Sequence, residues 1–312
     1  MLHIVTDSYA HDLIDDEMVT VVPNRVTIAG KTYLEGFELG ADDALRLMAA
    51  HPESVQVQPP TTADYSAVYK RLIPRTDGII SIHAARAITS SWQNAVTAAK
   101  PLAQYPIEVI DSMTFSAGQA MLVRYARRAI RSGASLDRVV RAVRGAVERV
   151  YSVFFVETMD FLLRNAPGVL DAPPIEKPIL PVNDTSTSNA EGETQYQDSG
   201  MAASHAVLGT MLGVKPILTV EGGRLIPIEK VRTRLQGIER LVEFAAEFDS
   251  MDDVMILTHK YGEHSRMLLE RLLADFPTGK FQQAIYTPSL AALIGLDATG
   301  LVILESDQDD EF

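Results

Sequence analysis

Hydroxyl and carboxylate side chains collect at the ends of apolar runs in this chain. Ile4-Val5-Thr6-Asp7-Ser8 and Val109-Ile110-Asp111-Ser112 both finish on an Asp-Ser pair. Thr61-Thr62 and Thr89-Ser90-Ser91 stand at the openings of helical periods, and Val254-Met255-Ile256-Leu257-Thr258 ends on His259. An apolar run of this length reads as a buried strand, and in open α/β sheets ligands sit just outside the strand tips. A helix start adds backbone N–H groups without partners. Four polar tips in one half of the chain suit the holding of one carboxylate or phosphate head by neutral donors. They contain no evident base–nucleophile pair, which points to binding rather than covalent chemistry.

The stronger catalytic and metal patterns fail on spacing. Gly30-Lys31-Thr32 resembles the end of a P-loop, but the position five residues before Gly30 is Arg25 and no helical period follows. A turn between two strands fits better. G-x-G-x-x-G, G-x-S-x-G and H-E-x-x-H do not occur. His259 and His264 are five residues apart, too far to share a helix face as metal ligands. His3, His11, His51, His83 and His205 are scattered. The absence of cysteine removes disulfides, thiolate nucleophiles and Cys-based metal sites.

The elements that must position these groups alternate. Strands are predicted at 2–6, 19–23, 78–83, 107–111, 151–157, 216–220, 224–227, 253–259, 280–286 and 300–305. Helical periods cover 41–50, 63–73, 88–103, 115–132, 136–149, 232–248 and 263–276. Leu241, Phe244, Ala245 and Phe248 make one apolar stripe at helical spacing. Thr62 is placed to cap the helix that opens at Ala63, Ser132-Gly133 to close a helix and Ser135 to cap the next. Glu221-Gly222-Gly223 reads as a hairpin turn. This order predicts an α/β fold of two domains, 1–150 and 151–312. Residues 172–203, with Pro173-Pro174 and the polar run Asn183-Asp184-Thr185-Ser186-Thr187-Ser188-Asn189, are too poor in apolar residues to build core and read as a surface insertion.

Apolar residues make up 46% of the 312, enough for a full core. The formal net charge of −13 argues against nucleic acid, whose phosphates require clustered Lys and Arg. The acidic tail Glu305-Ser306-Asp307-Gln308-Asp309-Asp310-Glu311 reads as a solvated end. Met1-Leu2-His3-Ile4 leads straight into a strand without a signal-peptide pattern, and no apolar run is long enough to span a membrane. A cytoplasmic protein without a membrane span is expected, with no cofactor or metal.

The ordered landmarks resemble those of the DegV family of bacterial fatty-acid-binding proteins. They are Thr6-Asp7-Ser8, Val22-Pro23, Gly30-Lys31-Thr32-Tyr33-Leu34-Glu35-Gly36, Pro60-Thr61-Thr62-Ala63-Asp64-Tyr65 and Ser91-Trp92-Gln93-Asn94-Ala95. Asp111-Ser112 with Ser116-Ala117-Gly118 follows, then Leu208-Gly209 through Val214-Lys215-Pro216-Ile217-Leu218 to Lys230-Val231-Arg232-Thr233-Arg234. The resemblance implies a DegV-like fold, with a Rossmann-like parallel sheet in the N-terminal domain and a mixed sheet in the second α/β domain. It implies one long-chain fatty acid between the domains, its tail in an apolar tunnel and its carboxylate on hydroxyls and a histidine. A separate fatty acid kinase would phosphorylate the bound acid, so that the protein is a carrier and not the enzyme. By position the head-group contacts would be Thr61, Thr62, Arg86, Ser90, Ser91 and His259. The chain departs from the family pattern at Val57-Gln58-Pro59-Pro60, at Ala85-Arg86, where a head-contacting serine becomes Arg86, at Asn165-Ala166-Pro167-Gly168 and at Gly295-Leu296-Asp297. The alternatives are a phosphotransferase-like enzyme on the same scaffold and a regulatory module with a vestigial pocket.

Overall fold

The computed structural model describes residues 1–10, 17–158, 160–165 and 215–307. Strand order in the first sheet is β2 (Val19–Val22), β1 (Leu2–Asp7), β6 (Gly78–His83), β7 (Ile107–Asp111), and every neighbouring pair is parallel. The chain leaves β1 toward β2 on one side and returns to β6 on the other. The tips of β1 and β6 therefore flank a topological switch point, where an α/β sheet opens a crevice. The second sheet runs β10 (Arg224–Val231), β9 (Lys215–Glu221), β8 (Val150–Val156), β13 (Ala298–Glu305), β11 (Met251–Thr258), β12 (Phe281–Ile285). It is mixed: β11 and β12 are parallel, the other pairs antiparallel. A small antiparallel sheet, β4 (Lys31–Leu34), β3 (Arg25–Ile28), β5 (Gln56–Gln58), projects from the first half.

Side-chain parity assigns each face of these sheets to a helix layer. Val5 and Ile79 point to the layer of α2 (Thr62–Leu72) and α3 (Ser91–Ala99), where Tyr65, Tyr69 and Ala95 are buried. Ile4 and Ile80 point the other way, to α4 (Ala117–Arg131) and α5 (Leu136–Val147). On β13, Val302 and Leu304 face that same central layer, whereas Leu301 and Ile303 face α7 (Arg234–Ala245) and α8 (Glu263–Asp275). Helix α4 thus lies between the two sheets, which is why Ala117 through Val123 are all buried. Arg124 on α4 adds two hydrogen bonds, 2.6 and 3.0 Å, to Asp253 of β11. The apolar core is continuous across residue 150, since Ile4, Met121, Phe154 and Leu257 share one cluster.

Several sequence expectations require correction. The helix predicted at 88–103 begins at Ser91, and Ile88-Thr89-Ser90 form a loop before it. Thr61, not Thr62, caps α2: its hydroxyl accepts the Asp64 amide at 3.3 Å while Asp64 accepts the Thr61 amide at 2.8 Å. No strand is predicted at β5, and β3 and β4 are predicted only as the two strands around the Gly30 turn, without bounds, because such short strands carry few alternations. The turn expected at Gly30 is the pair Ala29-Gly30, at φ 51° and 77°, and it joins β3 to β4. Helices α6 (Asp160–Asn165) and α9 (Pro288–Ile294) were also not foreseen. All seven residues of α9 are buried, so it lacks the amphipathic stripe that marks a surface helix. The Gly222-Gly223 hairpin forms as expected, with φ of 54° and 78°. Residues 172–203 lie outside the described residues. Among the described residues, no helix is long and apolar enough to cross a membrane.

Candidate functional site

The switch point is filled by a buried polar network. Asp7 ends β1 and His83 ends β6, and His83 Nδ1 lies 2.9 Å from Asp7 Oδ2. Ser91, at the first turn of α3, donates to the same oxygen at 2.7 Å, and Gln119 of α4 donates to Oδ1 at 3.1 Å. The network extends to Tyr65 at 2.5 Å from Ser91, and through His83 Nε2 to Ser81 and Tyr69, each contact 2.7 Å. Burial pushes the Asp7 carboxyl upward, but the hydrogen bond and charge of His83, with Ser91 and Gln119, outweigh it and hold Asp7 below its ordinary value. Ser81, His83 and Asp7 follow the hydrogen-bond order of a Ser-His-Asp triad. All three are fully enclosed, and the Ser81 hydroxyl already meets Tyr69, so no substrate carbonyl can reach it.

A second buried carboxylate lies nearby and is built differently. Glu35 follows β4 and is 3% exposed. Its Oε2 accepts Ser8 Oγ at 2.6 Å, Ser289 Oγ at 2.7 Å and Asn24 Nδ2 at 2.9 Å; its Oε1 accepts the Ser289 amide at 2.7 Å. Every one of these donors is neutral. Burial therefore dominates and raises the Glu35 pKa despite them. Tyr9, one residue beyond Ser8, has its phenol pushed up by burial and by the charges of Glu35 and Asp7.

Between the two halves of the chain opens a cavity of about 450 Å³, within the usual range for small-molecule sites, roughly 300–1,000 Å³. The first half contributes Tyr9, strand β5 with Pro59, and the loop Ile88-Thr89-Ser90; the second contributes Arg164 of α6 and Ser289, Ala292 and Leu293 of α9. Ser289, Ala292 and Leu293 fall at i, i+3 and i+4, one face of the helix. The wall is chemically mixed. Hydroxyls and amides come from Tyr9, Thr89, Ser90, Gln56 and Gln58, and apolar surface from Val57, Ile88, Ala292 and Leu293. Arg164, the cation of this lining, donates to Pro52 O at 2.6 Å and lies over the Phe161 ring.

The six residues singled out from the sequence are dispersed. Ser90 lines the cavity, and Thr61 and Thr62 come after its Pro59 with Pro60 between. Thr61 is engaged in the α2 cap and its hydroxyl donates to Asp64 Oδ2 at 2.7 Å. Ser91 is buried in the Asp7 network. Arg86 is exposed, with Nε 3.4 Å from Asp111 Oδ2 and its guanidinium over Trp92. His259 is outside the cavity lining. Its Nδ1 lies 3.4 Å from Asp297, beside an ionic group in which Arg234 bridges Glu157 and Asp297 and Lys215 also meets Glu157. Burial lowers the His259 pKa, and Asp297 opposes that shift. Sequence reasoning missed Tyr9, Gln56, Arg164, Ser289 and Leu293. The residue after an Asp-Ser tip was the only signal for Tyr9; the others sit on elements too short for periodicity to reveal. Among the described residues, no group of three or more His, Cys, Asp or Glu side chains could hold a metal ion.

The family model described as "Uncharacterised protein, DegV family" matches residues 1–306. Protein DegV of Bacillus subtilis is 22% identical over 305 residues, 96% of this chain and 97% of that one. A DegV domain-containing protein of Streptomyces coelicolor, SCO2569, is 27% identical over 281 residues, 88% of this chain and 87% of its own. The fold is similar to that of the fatty acid binding DegV family protein SAG1342 from Streptococcus agalactiae, with TM-score 0.81 and 22% identity over 98% of this chain and 99% of that one. It is also similar to a DegV family protein from Thermus thermophilus described by its fatty acid binding, with TM-score 0.79 and 21% identity over 98% and 99%. With a family match over nearly its whole length, this chain belongs to the DegV family.

Proposed function

We propose that the protein binds a long-chain fatty acid in the cavity between its two halves, and that it acts as a carrier in the cytoplasm. The observation that carries this reading is one cavity lined jointly by hydroxyl and amide side chains, by apolar side chains and by Arg164. Burying an acyl chain stabilises the complex by about 0.8 kcal/mol per CH₂, so the apolar residues supply affinity and the polar ones supply orientation. Thr89 and Ser90 donate to the carboxylate, and Arg164 neutralises it. The fatty-acid-binding relatives from Streptococcus agalactiae and Thermus thermophilus support the ligand class. One acid is held at a time, and its carboxylate is presented to a separate fatty acid kinase.

Native mass spectrometry of protein purified from bacterial cells tests the reading. The expected result is a mass increment equal to one fatty acid, displaced by added oleate. Protein that arrives empty and takes up no oleate overturns it. Kinase presentation is tested separately: a fatty acid kinase with ATP should convert the carried acid to its acyl phosphate, and Ser90→Ala should weaken oleate binding by about 3- to 10-fold, the loss of one hydrogen bond.

A further inference from the structure

Glu35 lies off the cavity lining, yet Ser289, which it binds through both backbone and side chain, lies on it. The carboxylate joins three separate pieces of the chain. Ser8 follows the β1 tip, Asn24 precedes β3, and Ser289 opens α9, 254 residues further on. The set is cross-braced: the Asn24 amide donates to Ser8 Oγ at 2.8 Å, Asn24 Nδ2 to Ser289 Oγ at 2.9 Å, and the Glu35 amide to the Asn24 carbonyl at 3.0 Å. Helix α9 carries no charged residue, and its Thr287 cap accepts the Leu290 amide at 3.3 Å. Its Ser289 amide is one of those a helix start leaves unpaired, and Glu35 accepts it.

We propose that Glu35 is a positioning residue of the cavity: its carboxylate fixes the start of α9 and so places the wall formed by Ser289, Ala292 and Leu293. The role requires a carboxylate and not only a side chain of this size. Four donors converge on its two oxygens, and a glutamine offers one carbonyl oxygen and turns two N–H groups toward donors. Burial disfavours the charge of this group, and no cation answers it among these partners. That it serves the ligand as well as the fold rests on the reading of the cavity as an acyl site.

Amide hydrogen exchange on the ligand-free full-length protein tests the positioning directly. Glu35→Gln preserves volume, so a residue that merely filled space would leave exchange as in the wild type. The expected result is exchange at least tenfold faster over 288–294 with 251–258 unchanged, and oleate affinity reduced about fivefold or more. Unchanged exchange over 288–294 overturns the proposal, as does faster exchange of equal size over 251–258. If Glu35→Gln does not fold, Asn24→Ala removes one donor and should still quicken 288–294 selectively, about threefold; no selective change there overturns it. If wild-type protein binds no oleate while 288–294 responds selectively, the positioning of α9 stands and the fatty-acid reading falls.

Discussion

Asp7 and Glu35 are two enclosed carboxylates at neighbouring tips, and their surroundings drive them in opposite directions. Asp7 faces a histidine, a serine and a glutamine, and is held below its ordinary value of 3.8. Glu35 receives four hydrogen bonds, all from neutral groups, and is raised above its ordinary value of 4.5. Asp7 also accepts the Tyr9 amide at 3.1 Å and the Ala84 amide at 3.4 Å, and what sets its surroundings apart in kind is the histidine. A partner able to carry positive charge compensates for lost solvation in a way that hydroxyls and amides do not. The difference matches position. Asp7 ties together four elements of the first half, β1, β6, α3 and α4, at the switch point. Glu35 joins that half to α9 at the cavity edge.

The largest test of this contrast is Asp7→Ala, which strands His83, Ser91 and Gln119 around an absent acceptor. Denaturant unfolding should show a loss of about 3–5 kcal/mol, as for a broken buried pair; a loss below about 1 kcal/mol would break the comparison by removing the charge partnership. Glu35→Gln should cost less, about 1–3 kcal/mol, because it keeps the volume and leaves only hydroxyl or amide donors unpaired. Stability measured against pH sharpens the contrast further, since the two signs differ. Asp7 contributes stability above 3.8 that is lost as pH falls through its lowered folded value. The contribution from Glu35 is complete below 4.5 and is lost as pH rises through its elevated folded value. Glu35→Gln should therefore remove a decline in stability on the alkaline side of 4.5 and leave the acid-side loss intact; an unaltered profile would separate Glu35 from that decline. Smaller still is Thr61→Ala, which should lower thermal stability by about 1 kcal/mol through the α2 cap. At the bottom of the series, His259→Ala should leave oleate affinity within about twofold, less than one hydrogen bond, because His259 lies outside the cavity lining.

Much of the fold was legible because long elements write periodicity into the chain. Strands at 78–83 and 107–111 and the helix at 41–50 coincide with the predicted spans. Ile4 and Val5 go to opposite faces because a strand alternates, whatever surrounds it. The site was legible only in part. Ser90 reached the cavity, but Ser91 turned into the Asp7 network and Thr61 into a helix cap. A hydroxyl at a helix start satisfies either role, and its type does not say which donor or acceptor will lie nearest.

The sequence by itself determined an α/β chain of apolar strands with polar tips, a hairpin at Gly222-Gly223 and family membership along nearly its whole length. These follow from local spacing and from the order of landmarks. Only the tertiary structure decided that Ser289 would stand against Glu35, that Arg164 would enter the lining beside Thr89 and Ser90, and that His259 would go to Asp297 instead. Those partners are separated by 38 to 254 residues. Chain folding brings them together through the docking of α9, α6 and the β-tips, and no local pattern encodes a contact of that range.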